Sequence, residues 1–233
     1  MRRLRAFLTR GPWWRRLLTA AGLLFVVLPL FMVLVFRVLP VPVTPLMLIR
    51  LVEGHGLSHD WVSYDEIAPV MARSAIAAED GKFCDHFGFD WEAINDALDA
   101  ADDGARLRGG STISQQTAKN VFLWPGRSWI RKGLEAGFTV LIETVWGKRR
   151  ILEVYLNSVE FGPGIYGVEA AARHHFGTSA AALTARQAAL LAAVLPNPIR
   201  FSAAKPSAYV NRYATRIEGR ARAIGKGMYP PCD

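Results

Sequence analysis

Twenty consecutive residues near the N terminus, from Leu17 to Phe36, carry no charge and are rich in Leu, Val and Phe. As an α-helix, such a run is about 30 Å long, which matches the hydrocarbon core of a bilayer. Six arginines and no acidic residue precede the run, and this asymmetry places the N terminus in the cytoplasm. A cleaved signal peptide is the alternative, but the run is too long for one and no A-x-A site follows. We therefore predict one transmembrane helix over 17–37.

The net charge of +8 is concentrated in this N-terminal segment. Seven arginines and no Asp or Glu lie in the first 37 residues, whereas the rest of the chain has 21 basic and 20 acidic residues. Because that remainder is almost neutral and has no recognised basic motif, a nucleic-acid-binding domain is excluded. The length of 233 residues suits one domain and an appendage.

Apolar residues recur at three- and four-residue intervals through most of the remaining chain, which predicts a mainly α-helical domain. We expect Asp65, Thr112 and Ser128 to cap helices, the last of which should end near Trp146. Segments rich in Ala and Leu predict further helices over 168–176 and 184–195.

Four polar clusters stand in a fixed order within this otherwise apolar region. They combine carboxylates, amides and cations, which can activate a hydroxyl while they neutralise an anionic leaving group. The clusters are Glu79-Asp80-Gly-Lys-Phe83-Cys-Asp-His86-Phe-Gly88-Phe-Asp90, Gly109-Gly110-Ser111-Thr112-Ile-Ser-Gln115-Gln116-Thr-Ala-Lys119-Asn120, Arg131-Lys132-Gly-Leu-Glu135 and Lys148-Arg-Arg-Ile-Leu-Glu153-Val-Tyr155-Leu-Asn157.

Glu79 is the candidate general base. It follows an apolar helical segment, 74–78, where partial burial would raise the pKa of a carboxyl group towards the working range of a base. The alternative is a solvated acid at a helix end, which the helix dipole disfavours.

Thr112, Gln116 and Lys119 follow one another at intervals of four and three, so they face the same way on a helix. Gly109 and Gly110 come just before the positive N terminus of that helix, which is a natural site for an anion. A capped surface helix is the alternative interpretation.

Arg127, Arg131 and Glu135 lie one helical turn apart, a spacing that on its own fits a surface ion pair. A metal site is a further alternative, but the spacing of its candidate ligands matches no standard cage. Those ligands would be Glu79, Asp80, Asp85, His86 and Asp90.

In wording and order, the four clusters closely resemble the peptidoglycan glycosyltransferases that polymerise lipid II. This family comprises monofunctional biosynthetic transglycosylases and the glycosyltransferase domain of bifunctional penicillin-binding proteins. The resemblance runs from about Trp61 to Pro206. It implies a lysozyme-like, two-lobed helical fold. Glu79 would deprotonate the attacking hydroxyl, and Glu135 would orient substrate or steady charge at the departing sugar. Substrate would be bound by Asp80, Phe83, His86, Thr112, Gln116, Lys119, Asn120, Arg127, Arg131 and Lys132.

The resemblance also implies the setting of the reaction. The partners would be lipid II, the growing lipid-linked glycan, the membrane and other cell-wall synthesis or division proteins, with no nucleic acid. The chain would be a single-pass protein of the bacterial inner membrane with a periplasmic catalytic domain. No cofactor is established, and a Mg²⁺ or Mn²⁺ ion shared with the substrate diphosphate stays open. A lytic enzyme and a non-catalytic scaffold are the rival functions.

Cys84 and Cys232 are expected to be free thiols, because one pair is not a disulfide scaffold in a domain of this size. Ser202-Ala-Ala-Lys205 matches the S-x-x-K nucleophile motif of transpeptidases, but no K-T-G follows it, so we expect no transpeptidase domain. The predicted organisation is a basic tail at 1–16, a transmembrane helix at 17–37, a linker at 38–60, the glycosyltransferase domain at 61–206 and a helical tail at 207–233.

Overall fold

The computed structural model describes residues 12–102, 110–126, 128–224 and 232. These residues are mainly helical, which confirms the predicted class. The helices are α1 Trp13–Phe36, α2 Pro45–Val52, α3 Pro69–Glu79, α4 Trp91–Asp102, α5 Ile113–Phe122, α6 Trp129–Val145, α7 Gly147–Ser158, α8 Val168–Phe176, α9 Ala185–Val194 and α10 Ala208–Ala223. The strands are β1 Ser58–His59, β2 Glu160–Gly162 and β3 Ile165–Tyr166, and short 3₁₀ helices lie at Tyr64–Glu66 and Ala180–Ala182.

The chain divides into two compact units after Leu39. The first contains α1, a helix with Pro29 in its interior and with exposed apolar side chains that include Leu23, Val27 and Phe31. Among the described residues, no helix combines the length and the apolar character that crossing a membrane requires.

Local capping signals in the second unit predict two helix starts correctly. Thr112 caps α5, where its hydroxyl accepts from the Gln115 amide while the Gln115 side chain accepts from the Thr112 amide. Ser128 caps α6 by accepting from the Arg131 amide, and that helix ends at Val145.

The predicted cap at Asp65 is wrong. Asp65 lies inside the 3₁₀ turn Tyr64–Glu66, and the helix that was expected after it begins only at Pro69. Proline suits the first turn of a helix because its missing N–H would have no intrahelical partner there.

The second unit contains two groups of closely packed helices. In the first group, α3, α9 and α10 pack on one another through small buried residues such as Ala75, Ala188, Ala192 and Ala214. In the second, α5 packs on both α6 and α7. Small side chains let the backbones of the first group approach closely, whereas the second group buries many polar side chains.

The segment between Pro40 and Asp60 contributes α2 and β1 to this unit. Strand β1 pairs in parallel with β3, which pairs antiparallel with β2, so the strand order is β1–β3–β2. Gly164, between β2 and β3, has φ of +71°, and a Cβ there would lie 2.2 Å from the carbonyl oxygen of His55. Only glycine permits this close approach.

Cys84 and Cys232 form a disulfide, so the expectation of free thiols is wrong. Their Cα atoms lie 5.0 Å apart although 148 positions separate them in sequence. Contact between such remote residues depends on tertiary packing, which the spacing of two cysteines does not reveal. The bridge joins the end of the chain to the loop that follows α3.

Candidate active site

Glu79 is the last residue of α3, and a side chain from α5 meets it. Gln116 Nε2 donates to Glu79 Oε2 at 2.8 Å. Burial raises the pKa of the Glu79 carboxyl group, and the Asp80 charge adds to this rise. The Gln116 hydrogen bond and the positive charge of Lys119 oppose it. Glu79 is thus a carboxylate with an increased affinity for a proton and with a neutral amide as its hydrogen-bond partner.

Asp80 anchors the loop of residues 80–90, which we call the active-site loop. Its Oδ2 accepts from the backbone amide of Ile113 at 2.9 Å, in the first turn of α5. Its Oδ1 lies 2.9 Å from His86 Nε2. Asp80 is buried and fully occupied by these contacts, so it holds the loop rather than facing solvent.

Two further contacts hold the same loop, one through Phe83 and one between Thr112 and Gly88. The Phe83 ring is fully buried and makes an edge contact with the His86 ring, at a centroid distance of 6.5 Å. The Thr112 hydroxyl donates to the carbonyl oxygen of Gly88 at 2.7 Å. Thr112 therefore caps α5 and also holds the loop in position.

Glu135 has a different environment from that of Glu79. It lies on α6, almost completely buried, and both of its oxygens are paired with cations. Arg131 Nη1 donates to Glu135 Oε2 at 2.6 Å, and Lys132 Nζ donates to Glu135 Oε1. Arg131 Nε has no hydrogen-bond partner in the described part of the chain, so the guanidinium keeps an unused donor. Glu135 thus fixes two cations in place.

Lys119 and Arg131 line one groove of about 580 Å³. Lys119 is partly buried, and burial lowers the pKa of its amine. The nearby charges of Glu135 and Glu79 raise this pKa, and those of Arg131 and Lys132 lower it. The lysine thus lies within electrostatic reach of both carboxylates. The groove combines polar and apolar side chains, namely Leu46, Ser111, Lys119, Asn120, Leu123, Trp124, Pro125, Gly126 and Arg131.

Most predicted site residues gather around Glu79 or around Glu135. Arg127 and Gly109 lie outside the described residues. Among the residues described, no three His, Cys, Asp or Glu side chains are placed to hold a metal ion. Asn157 is occupied by backbone contacts, since its Oδ1 accepts from the amide of Val62 and its Nδ2 donates to the carbonyl oxygen of Val62.

Three polar residues next to the site have no role predicted from the sequence. Tyr155 belongs to the fourth polar cluster, and its hydroxyl donates to Gln116 Oε1 at 3.4 Å, while burial raises its pKa well above the usual value. The hydroxyl of Tyr213 donates to the carbonyl oxygen of Ala78, next to Glu79. Glu143 is buried on α6 eight residues after Glu135. Its spacing of four from Thr139 and of eight from Glu135 was the signal that could have identified it.

The comparison with family models decides the family. Residues 47–228, most of the chain, match the model described as Transglycosylase.

The chain belongs to the transglycosylase family.

Similar proteins bear the name biosynthetic peptidoglycan transglycosylase. The chain is 56% identical to the protein of Caulobacter vibrioides over 94% of its own length and 95% of the relative's length. It is 53% identical to the protein of Rhodospirillum centenum, with 84% and 86% of the two lengths covered. For the protein of Jannaschia sp., the identity is 58% and the covered shares are 84% and 81%. Both carboxylate sites lie inside the region that matches the transglycosylase family.

Proposed function

We propose that this chain is a peptidoglycan glycosyltransferase that polymerises lipid II into glycan strands and releases undecaprenyl diphosphate. The observation that carries the proposal is the difference between the surroundings of Glu79 and those of Glu135. Glu79 has a raised pKa and, among the described residues, no cation bonded to it, whereas Glu135 holds two cations within electrostatic reach of Lys119. A base must accept a proton, whereas a leaving group must have its charge neutralised. These two tasks need opposite environments.

The reaction would proceed by a single displacement. Glu79 takes the proton from a sugar hydroxyl as that oxygen attacks the anomeric carbon of the donor. The bond from this carbon to the diphosphate oxygen breaks, and the diphosphate leaves with the bonding electrons. Because no side chain acts as a nucleophile, the anomeric configuration is inverted.

Cations of the groove would neutralise the departing diphosphate. Lys119 and Arg131 line this groove, and Lys132 shares Glu135 with Arg131. The planar guanidinium of Arg131 can bind two phosphate oxygens, and Glu135 fixes its orientation. Asp80, Phe83, His86, Thr112 and Gln116 would hold the base and its loop, whereas Arg127 and Asn120 would add contacts to substrate.

The two groups of helices support a lysozyme-like domain with two lobes. Helix α3, from the Ala-rich group, supplies Glu79, and helices α5 and α6 of the other group supply Gln116 and Glu135. In this arrangement the reacting groups lie where the lobes meet.

We further propose that α1 anchors the chain in the bacterial inner membrane, with its N terminus in the cytoplasm and the catalytic domain in the periplasm. The uncharged run from Leu17 to Phe36 supports an anchor. The disulfide supports the periplasm, because such bonds persist in oxidising compartments. Trp129 and Ile130, at the start of α6, are 92% and 77% exposed and suit a lipid interface beside the groove.

Purified full-length protein with lipid II provides the test of the reaction. Glycan polymer and free undecaprenyl diphosphate are the expected products, and Glu79→Gln should lower the rate at which both form by about 100-fold or more. A failure of the wild type to consume lipid II, or release of anhydro-sugars from finished peptidoglycan, would refute the proposal.

The anchor has a separate test in cells. The full chain should stay with membranes after an alkaline wash, and protease added to spheroplasts should digest the part that follows Leu39. Release by the alkaline wash, or protection from the protease, would contradict the proposed topology.

A further inference from the structure

Glu143 is a buried carboxylate that the proposed reaction does not use. Its side chain is 2% exposed, near the C-terminal end of α6. Its Oε1 accepts from Ser114 Oγ at 2.5 Å and from Lys148 Nζ at 2.7 Å. These contacts join α6 to α5 and to α7. A buried ion pair often contributes little to net stability. Stability alone therefore does not explain the presence of this pair beside the candidate active site.

Lys148 extends this ion pair to the active-site loop. Its Nζ lies 4.5 Å from the centroid of the buried Phe83 ring, in a cation–π contact. The Phe83 ring in turn contacts His86, and His86 contacts Asp80. A continuous series of contacts therefore leads from Glu143 to the residue next to the base.

Gly88 brings the other end of the loop onto the same carboxylate. Its φ is +80°, and a Cβ there would lie 2.7 Å from Thr139 Cγ2 and 3.1 Å from Glu143 Cγ. The loop backbone thus packs directly on the side chain of Glu143, which makes Glu143 and Lys148 contact the loop at two separate places.

We propose that Glu143 and Lys148 are positioning residues that set the active-site loop, and through it the Glu79 carboxylate, in the geometry for proton transfer. Neither touches the reacting atoms. Glu143 supports the backbone at Gly88 and holds the Lys148 cation over Phe83. The effect on turnover rests on the proposed function, whereas the effect on the loop does not. A displacement of about 1 Å at a reacting group can cost about 100-fold in rate, so these residues influence turnover from a distance.

Four variants of the full chain test this role. Lys148→Met keeps the aliphatic stem but removes the cation, and Glu143→Gln keeps the shape but removes the charge. The double variant removes both charges, and Lys148→Arg keeps the ion pair and the cation–π contact. Arg149→Met is the matched control, because Arg149 is the next residue of α7 and its pair with Asp65 is exposed.

With lipid II as substrate, we expect both single variants to lower kcat about tenfold or more, with KM within about twofold of the wild-type value. Lys148→Arg and Arg149→Met should stay within about threefold of wild-type kcat. The double variant carries no unpaired buried charge, so its thermal stability should recover while its kcat stays low. If kcat recovers together with stability, or if Lys148→Met behaves like Arg149→Met, the positioning role is refuted.

Hydrogen exchange separates this inference from the proposed function. Lys148→Met should increase amide exchange in residues 81–88 at least severalfold, and Arg149→Met should not. If this occurs and the wild type does not polymerise lipid II, the proposed function fails and the positioning role stands. If exchange in 81–88 is unchanged by Lys148→Met, the positioning role fails whatever the wild type does.

Discussion

The two carboxylates of the candidate site differ in their surroundings, and Glu135 is buried whereas Glu79 is half-buried. Glu79 receives one hydrogen bond from a neutral amide, and burial raises its pKa. Glu135 is bonded to the cations of Arg131 and Lys132. The Glu79 carboxyl group has an increased affinity for a proton, whereas the Glu135 carboxyl group holds two cations in place. The local partners of the two carboxylates, rather than their residue type, therefore support the roles that we propose for them.

The largest expected effect comes from the removal of the proposed base, Glu79. Glu79→Gln keeps the shape of the side chain but cannot take a proton, so lipid II polymerisation should fall by about 100-fold or more. Initial rates of polymer formation measure this, with Glu53→Gln as a control at an exposed carboxylate just after α2. Turnover near that of the wild type would show that the two carboxylates do not differ as we infer.

A smaller loss is expected at the cationic site. Arg131→Ala removes the guanidinium that Glu135 orients, and we expect polymerisation to fall about 10-fold to 100-fold. Arg131→Lys keeps the charge but loses the two-pronged geometry, so its rate should lie between those of Ala and wild type. Equal rates for Arg131→Ala and wild type would show that the guanidinium of Arg131 does not contribute to the reaction.

The pH dependence of kcat/KM tests the pKa of Glu79. Activity requires the ionised base, so it should fall as the pH drops through a pKa above the ordinary glutamate value of 4.5. Gln116→Leu removes a donor that favours the carboxylate, so the pKa should rise and the acid limb should move to higher pH. An acid limb that moves to lower pH in this variant would contradict the assigned environment.

The smallest effect concerns stability. Because burial raises the pKa of Glu79 in the folded state, ionised Glu79 opposes folding at pH above its unfolded value. Glu79→Gln should therefore raise the free energy of unfolding at pH 8 by less than about 2 kcal/mol. The gain should vanish near pH 3, where Glu79 is protonated in both states. Denaturant titrations at the two pH values measure it, and a loss of stability at pH 8 would contradict burial as the cause.

Local signals in the sequence predict much of the helical structure. Thr112 and Ser128 cap the expected helices, since a cap acts on amides two or three residues away. The failure at Asp65 has a local cause as well, because Pro69 was the stronger signal for a helix start. Some of the predicted site residues also lie in contact, since Gln116 donates a hydrogen bond to Glu79 and Arg131 donates one to Glu135.

The sequence by itself determined the helical class, several helix ends and the types of group that the chemistry needs. Only the tertiary structure decided that Glu79 meets the amide of Gln116, that Cys84 meets Cys232, and that Glu143 and Lys148 contact the active-site loop. The physical reason is the separation in sequence over which each interaction acts. Capping, helical periodicity and the pairing of Arg131 with Glu135 act over a few residues, whereas burial, the raised pKa of Glu79 and the disulfide depend on side chains that lie far apart in sequence.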